Sequence, residues 1–261
     1  MLYVIAYSVV SLSLISSFLF KFALGKYKGF RTCSRNELYV GFTSHDNYFI
    51  DVFKFPHTLI SGSTNSGKTN LIKCMIYNLI QFKNVDVYIM SVRKLDYYFF
   101  NNKFSNLFIS TGIDDIYLKL KSIHKELLIR EKELNHHVKY SNKKLKYIFF
   151  DEFSFLISDG KNDVNKDFKE EILNIIKEIA KIGSALGFYL IIGTQRADSK
   201  ILDGQIKANC NSHITFKQIN SINSQIALGH SGAEELEKYQ VICLTDSEII
   251  LNTPEFLVDL Q

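Results

Sequence analysis

The feature that most constrains this chain is a glycine-bounded segment, Gly62–Thr69, with the sequence GSTNSGKT. It fits the pattern G-x-x-x-x-G-K-[ST], in which backbone N–H groups surround the phosphates of a nucleotide. The preceding residues, HTLIS, are compatible with a β-strand, and a helical stripe of apolar residues begins at Leu71. A strand, a phosphate-binding loop and a helix in this order predict nucleotide binding. The alternative is a glycine-rich turn without a ligand.

Every residue of this loop is a candidate nucleotide contact. The two glycines let the backbone fold tightly around phosphate, and we expect Lys68 to meet the β- and γ-phosphate oxygens. We expect Thr69 to hold Mg²⁺ at the start of the helix, whose dipole favours an anion. The loop thus predicts ATP and Mg²⁺ as cofactors, with contacts from Gly62, Ser63, Thr64, Asn65, Ser66, Gly67, Lys68 and Thr69.

A second motif supplies the carboxylates that such a loop needs. The apolar run Leu145–Phe150 reads as a strand and ends in Asp151 and Glu152, at the strand end where α/β folds bind ligands. We expect Asp151 to hold Mg²⁺, directly or through water, and Glu152 to activate the water that attacks the γ-phosphate. Two such acids also fit a simple solvated strand end, but the loop upstream favours the catalytic interpretation.

A third apolar strand, Leu190–Gly193, ends in Thr194, Gln195 and Arg196. A polar side chain at this end, next to the loop strand or the acid strand, can sense the γ-phosphate and pass its presence to the segment beyond. Gln195 is the candidate for this catalytic role. The alternative is an ordinary turn at the end of a strand.

The chain around these motifs alternates continuous apolar strands with helices, which predicts an α/β fold with a mainly parallel sheet covered on both faces. Apolar residues make up 46% of the 261 residues, enough for a buried core. The cysteines are widely spaced and indicate reduced, structural thiols rather than a disulfide scaffold; they are Cys33, Cys74, Cys210 and Cys243.

The N-terminal segment predicts a membrane anchor. Leu2–Phe20 carries no charge over 19 positions, and as a helix it would be about 28 Å long, which spans a bilayer core. We therefore expect one transmembrane helix in residues 1–24 and a basic linker in residues 25–36. The basic residues predict that the rest of the chain stays in the cytoplasm. A cleaved signal peptide and a buried amphipathic helix are the alternatives.

The formal charge of +4 is concentrated at the N-terminus. Five basic residues precede the first acid, Glu37, and removing them from the 31 basic residues leaves 26 against 27 acidic ones. A globular part so close to neutral would bind nucleic acid through a local lining rather than a broad basic face. The five are Lys21, Lys26, Lys28, Arg31 and Arg35.

Taken in order, these motifs resemble the motor domain of the FtsK/SpoIIIE family of DNA-translocating ATPases, over roughly residues 37–245. The matching segments are Pro56-His57, Asp151-Glu152-Phe153, Thr194-Gln195-Arg196, Ile206–Asn209 and Gly232-Ala233-Glu234. The resemblance implies a RecA-like P-loop NTPase domain in residues 37–261. It also implies a ring, a homo-hexamer, with ATP at subunit interfaces and double-stranded DNA or a transferred strand in the channel.

The same resemblance implies that Arg196 and Lys207 lie near the channel and contact DNA; surface salt bridging is the alternative. The chain departs from the family where TRIAF and SRTIL are usual, because it has SHITF and SQIAL there. Two family arginines are therefore missing, so the arginine finger cannot be carried over, and Arg130 and Arg93 are candidate substitutes. Nothing in the sequence resembles the winged-helix DNA-orientation module of the chromosome translocases.

The sequence therefore predicts a membrane-anchored, ATP-dependent DNA translocase. One membrane helix with one motor favours a coupling protein that pumps DNA during conjugative transfer of a plasmid or integrative element. Its partners would be DNA, the membrane, further copies of itself, a relaxase and transfer-channel proteins. The rivals are a chromosome-partitioning translocase, an FtsK-like protein-secretion ATPase and a nucleotide-binding scaffold that does not hydrolyse ATP.

Overall fold

The computed structural model describes residues 33–100, 103–134, 143–156, 166–195 and 202–254, apart from the side chain of Lys94. The predicted anchor, residues 1–24, and most of the predicted linker, residues 25–36, lie outside these ranges. Of the helices within the ranges, none combines the length and the apolar composition that crossing a bilayer requires.

The described residues alternate strands and helices in the predicted order. The strands are β1 (Glu37–Phe42), β2 (Asn47–Asp51), β3 (Thr58–Ser61), β4 (Val85–Ser91), β5 (Leu107–Thr111), β6 (Leu145–Phe150), β7 (Phe188–Thr194), β8 (Ser212–Phe216), β9 (Gln240–Leu244) and β10 (Glu248–Asn252). The helices are α1 (Lys68–Leu79), α2 (Ile113–Leu134), α3 (Lys166–Ile182), α4 (Gly204–Asn209) and α5 (Ser221–Leu228). Short 3₁₀ helices occur at Lys94–Phe100, Phe153–Leu156 and Ser184–Leu186.

The strands form one sheet in the order β2-β1-β10-β9-β8-β3-β7-β6-β4-β5. The half from β8 to β5 is parallel throughout and carries the predicted motifs, which confirms the α/β fold with a mainly parallel sheet. The other strands pair antiparallel. The strands β1 and β2 form a hairpin that lies at the outer edge of the sheet, separated from β3 by three strands.

Apolar residues cover both faces of the sheet because successive strand residues point to opposite sides. On β6, Tyr147 and Phe149 face a layer that includes the apolar residues of α1. Ile148 and Phe150 face a second layer built with α2 and α3. All six residues of β6 are buried, as expected of a parallel strand covered by helices on both sides. Burial on both faces fixes the position of β6, and therefore the position of Asp151 and Glu152, which follow it.

A buried histidine joins the start of β3 to β7. His57 has a φ of 60° and an exposed fraction of 2%, and its Nδ1 accepts the backbone N–H of Leu190 at 3.0 Å. Burial lowers the pKa of His57 from 6.5 to about 4. Protonating Nδ1 would also remove the acceptor for that N–H. The native fold therefore requires the neutral form of the His57 ring.

We expect His57 to make folding stability depend on pH. Its pKa is lower in the folded chain than in the unfolded chain, so its stabilising contribution is complete above pH 6.5 and is lost as the pH falls towards 4. Between pH 7 and pH 5 this loss amounts to about 2 kcal/mol. Urea unfolding of the wild type and of His57→Asn at both pH values measures it, because asparagine tolerates a positive φ and does not titrate. Equal losses in the two proteins would contradict the assignment.

Candidate nucleotide-binding site

The predicted phosphate loop connects β3 to α1 and turns sharply at its end. Gly67 has a φ of 119° immediately before the helix, a conformation that favours glycine. A Cβ at this position would lie 2.8 Å from Cδ1 of Tyr239 and 2.9 Å from Cε1 of Phe216. Both the backbone conformation and the close packing therefore require glycine here.

Several N–H groups of the loop are available to a ligand. Ser63 donates its N–H to the carbonyl of Lys217 at 2.9 Å. Among the described residues, by contrast, no acceptor contacts the backbone N–H of Thr64, Asn65 or Gly67. The first turn of α1 carries no acidic residue, and the start of a helix directs backbone N–H groups outward, where a ligand can accept them. Such a cluster of donors at a helix N-terminus fits the phosphates of a nucleotide.

The ammonium of Lys68 is held inside the loop. Its Nζ donates to the carbonyl oxygens of Gly62 at 2.6 Å and Ser63 at 3.2 Å. Burial lowers the pKa of Lys68, and the nearby carboxylates of Glu152 and Asp151 oppose that shift. The loop thus places a cation among the N–H groups that would surround an anion.

The hydroxyl and carboxylate predicted to hold Mg²⁺ lie together. Thr69 Oγ1 donates to Asp151 Oδ1 at 3.0 Å. Burial raises the pKa of Asp151, and the hydrogen bond from Thr69 opposes this. Gly193 on β7 permits the arrangement, because a Cβ there would lie 2.4 Å from the carbonyl oxygen of Asp151. A hydroxyl and a carboxylate beside a phosphate site are the donors that Mg²⁺ uses in nucleotide complexes.

Glu152 and Gln195 are linked to each other and to the loop. Glu152 Oε1 accepts the backbone N–H groups of Gln195 at 3.3 Å and Ser154 at 3.4 Å. The hydroxyl of Thr64 donates to Gln195 Oε1 at 3.2 Å. Because β7 lies between β3 and β6, Gln195 is next to both the loop strand and the acid strand. The structure brings all the predicted ATP-site residues to one edge of the sheet.

All of the predicted ATP-site residues except Gly62 border a cavity of about 310 Å³, a volume within the range of small-ligand sites. Its lining includes four residues that the sequence did not assign to the nucleotide of their own subunit: Asn70, Arg93, Lys238 and Tyr239. Arg93 follows β4 and was detectable by the same rule that identified Asp151, because β4 is the parallel neighbour of β6. Tyr239 and Lys238 precede β9, and no local sequence signal marks them.

A larger cavity, of about 480 Å³, lies at the opposite ends of the parallel strands, where β6 and β7 begin. Its lining includes Arg35, Arg130, Lys143 and Lys144. It contains neither the loop nor the acids. The smaller cavity is therefore the candidate nucleotide site.

The structure distinguishes the two candidates for the arginine finger, the residue that would reach the γ-phosphate of a neighbouring subunit. Arg130 is 4% exposed and donates to the carbonyl of Leu186 at 2.8 Å and to Glu126 at 2.7 Å. The prediction that it could reach a neighbouring subunit is wrong, because its guanidinium is buried inside its own domain. It lies where β6 and β7 begin, at the strand ends opposite the nucleotide site. Arg93 is exposed, but it lines the cavity of its own subunit, so its role as a finger towards a neighbouring subunit stays a prediction.

The two predicted DNA contacts have different outcomes. Arg196 lies outside the described residues. Lys207 is half-buried, and its Nζ donates to the carbonyl of Ile226 at 2.7 Å, which ties α4 to α5. Its predicted contact with DNA stays a prediction.

Comparison with known sequences supports the family resemblance that these motifs predict. The model of the FtsK/SpoIIIE family matches residues 29–90. The chain is 27% identical over 213 residues to the DNA translocase FtsK of Borreliella burgdorferi and 26% identical over 224 residues to that of Chlamydia trachomatis. The predicted resemblance to the FtsK/SpoIIIE family is confirmed. The matches cover 74% and 73% of this chain, which spans only 26% of the length of each of these relatives.

Solved structures extend the similarity to the fold. The pCW3 conjugation coupling protein TcpA, in its monomer form with ATPγS, is 24% identical with a TM-score of 0.74, covering 84% of this chain and 66% of TcpA. The cytoplasmic domain of the Type VII secretion ATPase EccC from Thermomonospora curvata is 18% identical with a TM-score of 0.68, covering 89% of this chain and 30% of EccC. The FtsK/SpoIIIE-like chain thus shares the α/β fold of P-loop ATPases.

Proposed function

We propose that the chain is a membrane-anchored, ATP-driven DNA translocase that serves as a coupling protein, pumping DNA during conjugative transfer of a plasmid or integrative element. The observation that carries the ATPase part is the 3.0 Å hydrogen bond between Thr69 and Asp151. It joins the phosphate loop to the acid strand, two segments 82 residues apart, in the arrangement that nucleotide hydrolysis requires.

Each residue of the site has one proposed role in hydrolysis. The loop N–H groups and Lys68 bind and orient the phosphates, and Thr69 and Asp151 would hold Mg²⁺. Bound Mg²⁺ would supply positive charge that offsets the negative charge of the phosphates. Glu152 positions the attacking water and accepts its proton. Gln195 contacts the γ-phosphate, so that the segment that follows β7 responds to whether this phosphate is present.

The DNA-moving part of the proposal rests on the sequence relatives, which are DNA translocases. In it, residues 37–261 form a motor that assembles into a homo-hexamer, with Arg196 and Lys207 directed to DNA in the central channel. A ring repeats each cation in every subunit, so a nearly neutral domain is sufficient. Residues 1–24 anchor the motor by a single pass, residues 25–36 link the two, and the motor lies in the cytoplasm.

The conjugative role is supported by the similarity in fold to TcpA, a conjugation coupling protein. A relaxase and transfer-channel proteins are the partners that this role implies. The similarity to EccC favours protein secretion as the second candidate function. Chromosome partitioning and a scaffold that does not hydrolyse ATP are the further alternatives.

We expect DNA to stimulate the ATPase activity of the assembled full chain several-fold, because a DNA translocase couples ATP hydrolysis to its contact with DNA. Steady-state phosphate release, measured with no DNA, duplex DNA and single-stranded DNA at one fixed salt concentration, tests this expectation. Heparin serves as the matched polyanion control. Stimulation by duplex or single-stranded DNA and not by heparin supports the proposal.

The other outcomes identify the alternatives. Turnover that no DNA stimulates contradicts DNA translocation and favours protein secretion. Nucleotide binding without any turnover favours the scaffold. A relaxase gene next to the gene for this chain would support conjugation over chromosome partitioning.

A further inference from the structure

The order of the strands divides the candidate nucleotide site into two ends. Asp151, Glu152 and Gln195 follow β6 and β7, which lie on one side of the loop strand β3. On the other side lie β8 and β9. A nucleotide whose γ-phosphate meets the acids therefore extends its nucleoside towards β8 and β9. This step rests on the proposed binding of ATP.

Tyr239 lies at that nucleoside end. It immediately precedes β9, whose residue Val241 pairs with Phe216 at the end of β8, so it stands at the same edge of the sheet as the loop. It lines the same cavity as Lys68 and Asp151. Its place in the fold is therefore beside the loop and on the side away from the acids.

The backbone of Tyr239 is held in an unusual conformation. Its φ is 66°, a value that non-glycine residues adopt rarely and that occurs often at ligand sites. Its N–H donates to the loop carbonyl of Ser66 at 3.2 Å. Its carbonyl accepts both the N–H of Thr253 at 2.7 Å and the hydroxyl of Thr253 at 3.0 Å. Three hydrogen bonds thus hold the backbone of Tyr239 next to the loop.

The ring itself is placed between the loop and the open side of the cavity. One edge packs against Gly67, where a Cβ would approach Cδ1 of Tyr239 within 2.8 Å. The Nζ of Lys238 lies 4.8 Å from the ring centroid. Lys238 is exposed and Tyr239 is half-exposed, so part of the ring is accessible from solvent.

We propose that Tyr239 is the base-binding residue of this site and stacks its ring on the purine of the nucleotide. An aromatic ring meets the flat face of a base through apolar contact and π-stacking, with little dependence on the edge groups of the base. The proposal assigns the phosphates to the loop and the purine to Tyr239. It thus extends the proposed ATP site by a nucleoside subsite.

Binding of ADP and of inorganic tripolyphosphate to the full chain, both with Mg²⁺ and measured by calorimetry, separates the two ends. We expect Tyr239→Ala to weaken ADP binding about tenfold and to leave tripolyphosphate binding unchanged, because tripolyphosphate has no base. Tyr239→Phe keeps the ring and should bind both ligands as the wild type does. Tyr239→Gly also removes the ring but accepts a positive φ, so it should match Tyr239→Ala. Tyr98→Ala removes an exposed tyrosine outside the cavity lining and should change neither affinity.

Two results would overturn the base-binding role while leaving ATP binding intact. If both alanine and glycine variants lose ADP and tripolyphosphate to the same extent, Tyr239 acts only by supporting the loop. If neither variant loses ADP affinity, the ring does not contact the base. If the wild type binds neither ligand, the proposed function itself fails, and this inference fails with it.

Discussion

Glutamine in place of Glu152 is expected to slow ATP hydrolysis between about a hundredfold and ten-thousandfold, because the variant loses the base that accepts the proton of water. Glutamine has nearly the same shape as glutamate, and its Oε1 can still accept the N–H of Gln195 that Glu152 accepts at 3.3 Å. The site should therefore keep its structure and its nucleotide affinity. Single-turnover phosphate release, together with equilibrium binding of ATP, measures the two effects separately.

The matched control is Glu235→Gln, the same change at an exposed acid outside the cavity, which should hydrolyse ATP at the wild-type rate. Hydrolysis by Glu152→Gln within about tenfold of the wild type, with binding intact, would show that another group activates the water. Asp151 would then be the carboxylate to test next.

Lys68→Ala is expected to weaken ATP binding about a hundredfold, since a hydrogen bond from a charged donor is worth roughly 1.5–3 kcal/mol. The ammonium is also the partner of two loop carbonyls, those of Gly62 and Ser63. Its removal leaves the buried carbonyl of Gly62 without this donor, whereas the carbonyl of Ser63 still accepts the N–H of Ser66 at 3.3 Å. The loop therefore loses one buried hydrogen bond as well as the charge. ATP turnover should fall with the affinity. Calorimetry with ATP and steady-state phosphate release provide the measurements.

Lys73→Ala is the control for this variant, because Lys73 lies on the same helix and outside the cavity lining. It should bind ATP as the wild type does. Thermal unfolding of both variants shows whether the helix remains folded. Wild-type affinity in a folded Lys68→Ala protein would refute the assignment of the loop.

The local parts of the site were predictable because the physics that shapes them is local. The spacing from Gly62 to Thr69 alone specifies a tight loop at a helix N-terminus. The apolar run of β6 specifies a doubly buried strand, which must deliver Asp151 and Glu152 at its carboxyl end. Parallel pairing then brings both motifs to the same edge without further information.

The parts that escaped prediction depend on contacts between distant segments. Arg130 was a plausible finger by sequence, yet it is buried because Leu186, 56 residues away, supplies a carbonyl to its guanidinium. Tyr239 enters the site only because β9 turns back antiparallel beside β8. The edge position of the hairpin depends likewise on β10, which inserts between β1 and β9. No pattern within a short window contains that information.

The edge position of β1 and β2 has a mechanical consequence. A force applied to the chain ahead of β1 would act first on the β1–β2 and β1–β10 ladders, and β1 is separated from β3 by three strands. Tension from that direction would be shared among the antiparallel strands before it reached the parallel half. The phosphate loop is thereby shielded from pulling along the chain, and the sheet can resist traction while the nucleotide site keeps its shape.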